Sequence, residues 1–173
     1  IEALCYYWKA DIAHQKSEYD KSIQLINIFL PNSSDISPDH SVKANAGTAN
    51  YLQGYNYYKQ KKYSEAIPYF NSAVTGLKSN KTENLKQSIL PDALLRLADG
   101  YFMQKQYAQS AKFYDEVIKA NYPGADYALY QKAIIDGLSG KYLDKIAGMK
   151  ALVSRFPSSP FADDALIQAG NTY

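Results

Sequence analysis

Apolar residues in the third quarter of the chain fall on a helical stripe. Leu94, Leu97, Ala98 and Tyr101 stand at i, i+3, i+4 and i+7, the spacing of one face of an amphipathic helix. Pro91 and Asp92 are predicted to open that helix, because proline suits a first turn and an acidic side chain favours the positive end of the helix dipole. After a break at Gln104–Gln106 a second stripe follows, Ala111, Tyr114, Val117 and Ile118. It predicts a helix from Tyr107 to about Lys119, stopped by Pro123 and Gly124. Two helices joined by a tight turn make an antiparallel pair.

The same unit can be laid along the whole chain. The phrase "KKYSEAIPYF" (61–70) returns as "SEYDKSIQLI", "KQYAQSAKFY" and "GKYLDKIAGM". Its tyrosines, Tyr19, Tyr63, Tyr107 and Tyr142, are 44, 44 and 35 residues apart. A small residue recurs in the first helix of each copy, at Ala10, Gly54, Ala98, Ala133 and Gly170, where a larger one would force two helices apart. Tyr57 and Tyr101, one turn later, are expected in the core. In the second helix Ala66, Phe70 and Ala73 recur as Ser110, Tyr114 and Val117. The predicted repeats are 1–38, 39–80, 91–122, 125–157 and a half repeat at 159–173. Two polar insertions, "LPNSSDISPDH" and "KSNKTENLKQSILP", lie between one pair and the next and are expected to form surface loops, partly taken up by extra helical turns.

This pattern resembles the tetratricopeptide repeat, with its W-x2-L-G-x2-Y, then A-x3-F, then P. Gly54, Tyr57, Ala66, Phe70 and Ala73 carry the resemblance, and Leu97, Ala98, Tyr101 and Pro157 support it. It implies an all-α fold, a right-handed α-solenoid superhelix of antiparallel helix pairs, because a lone pair cannot bury its apolar face and must stack on its neighbours. The chain opens with "IEALCYYWKADIA", which reads as mid-helix, and closes part-way through a repeat signature. A piece of a longer array is therefore expected.

Composition narrows the function. Net charge is only +2, and two of the nineteen basic residues are arginines, Arg96 and Arg155. Since arginine forks are the usual tool for phosphate and base recognition, nucleic acid is not the expected partner. Without an apolar run of about 20 residues no membrane-spanning helix is predicted. The single Cys5 excludes an internal disulfide framework. Flanked by Leu4 and Tyr6, it is expected to be a buried, inert thiol. His14 and His40 share no metal-ligand spacing, and Asp163 and Asp164 suit a helix start. No cofactor and no enzymatic activity are expected.

A stacked array offers a surface instead. In tetratricopeptide superhelices the first helices line the inner wall, so the resemblance implies a partner-binding groove. Candidate contacts are Tyr7, Asp11, His14, Tyr51, Tyr55, Tyr58, Arg96, Asp99, Phe102 and Tyr130. Tyr51, Tyr55 and Tyr58 stand at i, i+4 and i+7, and aromatic residues with scattered carboxylates suit an extended protein or peptide segment. Packing between adjacent pairs is the competing use for the same rings. Chaperone-binding arrays grip a C-terminal carboxylate with basic residues; here Arg96 alone fits, while Asp11 and Asp92 would repel it. The phrase Pro157, Ser159, Phe161, Ala162 and Ala165 is similar to the repeat joint of bacterial envelope arrays of the Tol–Pal coordinator and outer-membrane-assembly lipoprotein type. That likeness implies a periplasmic or outer-membrane-associated scaffold. A cytoplasmic regulatory module, and a structural or self-associating spacer, remain as alternatives.

Overall fold

The computed structural model describes residues 2–35, 43–79 and 83–172. Among the described residues all regular structure is helical. The α-helices are α1 (Glu2–Gln15), α2 (Tyr19–Phe29), α3 (Ala46–Lys59), α4 (Tyr63–Ser79), α5 (Glu83–Met103), α6 (Tyr107–Lys119), α7 (Ala125–Leu138), α8 (Tyr142–Arg155) and α9 (Ala162–Gly170), with a 3-10 segment at Leu30–Asp35. They form two compact units, Ile1–Gln104 and Lys105–Tyr173, and the division falls inside the repeat predicted over 91–122.

The recurrent tyrosine begins a helix in every copy: α2, α4, α6 and α8 start at Tyr19, Tyr63, Tyr107 and Tyr142. Two residues before each stands a left-handed residue. Ser17, Lys61 and Lys105 have φ of 61°, 61° and 58°, and Gly140 has 75°. The turn satisfies carbonyls that a helix end leaves without an intrahelical donor. Lys61 N–H donates to Tyr58 O (2.9 Å) and Lys62 N–H to Tyr57 O (3.0 Å); Ser17 and Glu18 close α1 in the same way on His14 and Ala13. The repeated phrase therefore encodes a helix stop, a one-residue reversal and a helix start.

In unit 1 the pairs α1–α2 and α3–α4 form, α2 packs on α3, and α4 packs on α5. Tyr7, Ala10, Ile26, Phe29, Ala49 and Leu52 share one core. At the crossing of α3 and α4 a Cβ added to Gly54 would lie 2.8 Å from the Phe70 ring, so a small residue is required there, as predicted. In unit 2, α7 packs on α6 and α8, and α8 on α9. Leu129, Ala133, Met149, Leu152, Ala162 and Ala165 form its core.

Four expectations are corrected. Pro91 does not open α5 but lies well inside it, so most of the second insertion is helix rather than loop. An interior proline costs about 3 kcal/mol, yet Leu90, Ala93 and Leu94 around it are buried, and burying a leucine recovers about 1.5–3 kcal/mol each. Of the first insertion, residues 36–42 lie outside the described residues, as does His40. Gly170 is exposed with nothing within 4 Å of its Cβ direction; Ala165 and Ala169 fill the core of α9 instead. Tyr57 and Tyr101 are half-buried rather than core residues, with Tyr57 stacked on Tyr69 at 5.4 Å. Cys5 is exposed, not buried, because the buried stripe of α1 runs through Tyr7, Ala10 and Ala13.

Candidate functional site

Tyr51, Tyr55 and Tyr58 lie one turn apart on α3, and Asp92, Arg96 and Asp99 repeat the same i, i+4, i+7 spacing on α5. The structure brings the two stripes together. Tyr51 Oη donates to Asp92 Oδ2 at 2.7 Å, and Tyr55 Oη donates to the same oxygen. Arg96 Nε donates to Asp92 Oδ1 at 3.3 Å and its terminal nitrogen to Asp99. Tyr58 Oη reaches Asp99 Oδ2 at 3.5 Å, and the Arg96 guanidinium lies 5.8 Å from the centre of the Tyr58 ring. The result is a seam of phenols, carboxylates and one guanidinium.

Electrostatics follow from this geometry. Burial, reinforced by the charge of Asp92, pushes the Tyr51 hydroxyl far above an ordinary phenol, and Tyr55 moves the same way. Burial also raises Tyr58, with the charge of Asp99 adding to it. For Arg96 burial works against the charged form, but Asp99 and Asp92 outweigh it and the pKa rises. The guanidinium therefore stays charged, and the phenols stay neutral donors. The rings in turn pack edge to face: Tyr51 against Tyr55 at 5.0 Å, and Tyr55 against Phe70 at 5.4 Å.

Beside the seam a cleft of about 370 Å³ lies against α1 and α3. Tyr7, Asp11 and His14 of α1 and Tyr51, Tyr55 and Lys59 of α3 line it. Tyr7 is 8% exposed and belongs mainly to the core, in contact with Phe29 at 5.3 Å. His14 is fixed by Asn56, whose Oδ1 lies 2.7 Å from His14 Nδ1. Asn56 is fully buried and donates onward to Ser22 Oγ at 2.8 Å. Asp11 is half-buried and accepts from the Gln15 side-chain amide at 2.9 Å.

Of the sequence-derived candidates, Tyr7, Asp11, His14, Tyr51 and Tyr55 thus share the cleft. Tyr58, Arg96 and Asp99 belong to the seam, with Asp99 only 5% exposed. Phe102 is half-buried near the end of α5. Tyr130 lies in unit 2, where its hydroxyl donates to Asp164 and its ring stacks on Phe161 at 5.5 Å. Burial and the hydrogen bond to Asp164 push its pKa up to about 12. Asp164 is therefore a phenol acceptor as well as a first-turn acid of α9. Asp92 is the residue that sequence reasoning misplaced. The signal was its register with Arg96 and Asp99, which matches the tyrosine stripe. Lys59 and Asn56 had no such signal. Among the described residues no cluster of His, Cys, Asp or Glu could hold a metal ion, and no helix is long and apolar enough to cross a membrane.

Paired helices, left-handed turns and small-residue crossings define an all-α helical-repeat protein. Residues 48–75 and 92–125 match the tetratricopeptide repeat family model, and these two stretches carry tetratricopeptide repeats. Three solved structures share its fold. YrrB, "a TPR protein with an unusual peptide-binding site", is 19% identical with a TM-score of 0.73, over 99% of this chain and 76% of YrrB. The MamA protein is 17% identical with a TM-score of 0.74, over 99% and 80%. The apo form of RapI is 13% identical with a TM-score of 0.77, over 99% of this chain and 63% of RapI. At such identities the likeness is one of fold. No curated protein matches the chain by sequence.

Proposed function

We propose that the chain is a non-enzymatic scaffold that binds an extended segment of a partner protein in the cleft against α1 and α3. The observation that carries this reading is the cleft itself, set on two successive first helices and lined by aromatic rings, Asp11 and Lys59. Rings with two torsions give large contact area at small entropy cost, and a few charges fix register. YrrB, of the same fold, is described as having a peptide-binding site, and a peptide is the ligand class proposed for this chain. The seam residues serve this role indirectly, holding α3 and α5 together so that the cleft keeps its shape. That favours a second use for the tyrosine stripe, as packing, since the Tyr51 and Tyr55 hydroxyls are already committed to Asp92.

The location proposed is a bacterial envelope, on the likeness of the Pro157–Ala165 phrase to envelope arrays. Recovery of the native protein from the cytosolic fraction would replace it with the regulatory-module reading. The binding role is tested by selecting peptides from a random display library on the immobilised chain. Selected sequences are expected to lose binding to the Lys59→Glu variant while its melting temperature stays within a degree or two. Failure to enrich any peptide over background, or binding indifferent to every cleft substitution, overturns the reading.

A further inference from the structure

The cleft against α1 and α3 combines two features that a docking groove need not have. One is an aromatic corner. Tyr51 and Tyr55 stand nearly perpendicular (79°) with centroids 5.0 Å apart, and His14 meets Tyr55 at 6.2 Å and 74°. Both phenols donate to Asp92, and donation to a carboxylate leaves electron density on the ring, strengthening the negative π face that attracts cations. The other is Asp11. Its carboxylate lines the same cleft and is half-buried. It accepts from the neutral amide of Gln15, and among the described residues the ion pairs do not include it. Asp92, by contrast, is already engaged by Arg96.

We infer that the partner segment places a basic side chain, lysine or arginine, in this cleft, its charge between the Asp11 carboxylate and the Tyr51–Tyr55 corner. The inference rests on the binding role proposed above and specifies its recognition chemistry. A carboxylate ligand would meet Asp11 and the electron-rich rings, both repulsive. Besides His14, whose Nδ1 is held by Asn56, the basic residue lining the cleft is Lys59. It is exposed at the last turn of α3, where it meets a neighbouring acidic or carbonyl group of the same segment. Cation, ring and carboxylate together favour a basic over a neutral side chain by roughly five- to thirtyfold in affinity.

The test uses the full chain and three capped peptides of the form Ala-Ala-X-Ala-Ala, with X lysine, glutamine or glutamate. Binding is followed by chemical-shift changes of the Tyr51, Tyr55 and His14 side chains. The lysine peptide is expected to shift these resonances with an affinity at least about fivefold above the glutamine peptide, and the glutamate peptide to bind least. Asp11→Asn, isosteric and outside the hydrogen bonds of the seam, is expected to remove most of that preference while leaving the melting temperature unchanged. A lysine preference that survives Asp11→Asn, or equal binding of lysine and glutamate peptides, overturns the inference. If display selects peptides without lysine or arginine that ignore Asp11→Asn, the cationic anchor falls and the groove reading stands. If display selects nothing, both fall.

Discussion

Asp92→Ala removes the acceptor on which the α3–α5 seam converges. Two phenol hydroxyls lose their partner, while Arg96 retains Asp99. A hydrogen bond to a charged group is worth about 1.5–3 kcal/mol when buried, but the Asp92 side chain is 34% exposed, so water can rescue part of the loss. Two bonds, discounted for that exposure and with Arg96 still paired, give a destabilisation of about 2–4 kcal/mol. The single tryptophan, Trp8 on α1, reports on unit 1, so urea unfolding followed by its fluorescence isolates the unit that contains the seam. A double-mutant cycle with Tyr55→Phe is expected to show a coupling of about 1 kcal/mol or more, since each substitution removes the same bond. A loss below about 0.5 kcal/mol for Asp92→Ala, or strict additivity with Tyr55→Phe, would refute the seam as a stabilising element.

Gly54→Ala is expected to destabilise by about 1–3 kcal/mol, because the new methyl would sit 2.8 Å from the Phe70 ring and overpack the crossing; Phe70→Leu in the same chain should recover part of the loss in thermal unfolding. Gly140→Ala meets no neighbour within 4 Å but keeps φ at 75°, so its cost of about 1 kcal/mol is conformational and should match no loss of burial. Tyrosine ionisation followed at 295 nm gives a pH test. Unfolded phenols titrate near pH 10, whereas Tyr51 and Tyr55 are raised well beyond that and Tyr130 to about 12. Their contribution is therefore intact below pH about 10 and lost as pH rises above it. A slow tyrosine fraction that ionises only as helicity collapses is expected; full titration near pH 10 with unchanged circular dichroism would contradict it.

The recurrent phrase was legible because a helix start next to a reversal imposes local chemistry, and all four tyrosines open their helices. The crossing at Gly54 was legible too, since its steric demand shows as a small residue at fixed spacing. Pro91 is misleading in sequence because the first-turn preference of proline is local, whereas tertiary burial of Leu90, Ala93 and Leu94 decides the helix. Gly170 misled for the opposite reason: periodicity alone cannot tell whether a second helix faces the position. The tyrosine stripe was recognised, but its role depends on what stands opposite. That partner, Asp92, lies 41 residues from Tyr51 and 37 from Tyr55, a distance at which no helical periodicity connects them. Asp11 and Lys59 come together in the cleft through the packing of α1 near α3, which a single sequence does not display.

Hydrogen–deuterium exchange of the full chain, with and without a display-selected peptide, locates the partner most directly. Slowed exchange is expected over α1 and α3, centred on residues 7–15 and 51–59, with α8 and α9 unchanged. Protection confined to unit 2, or absent from α1 while the peptide is bound, would contradict the assignment of the cleft as the binding site.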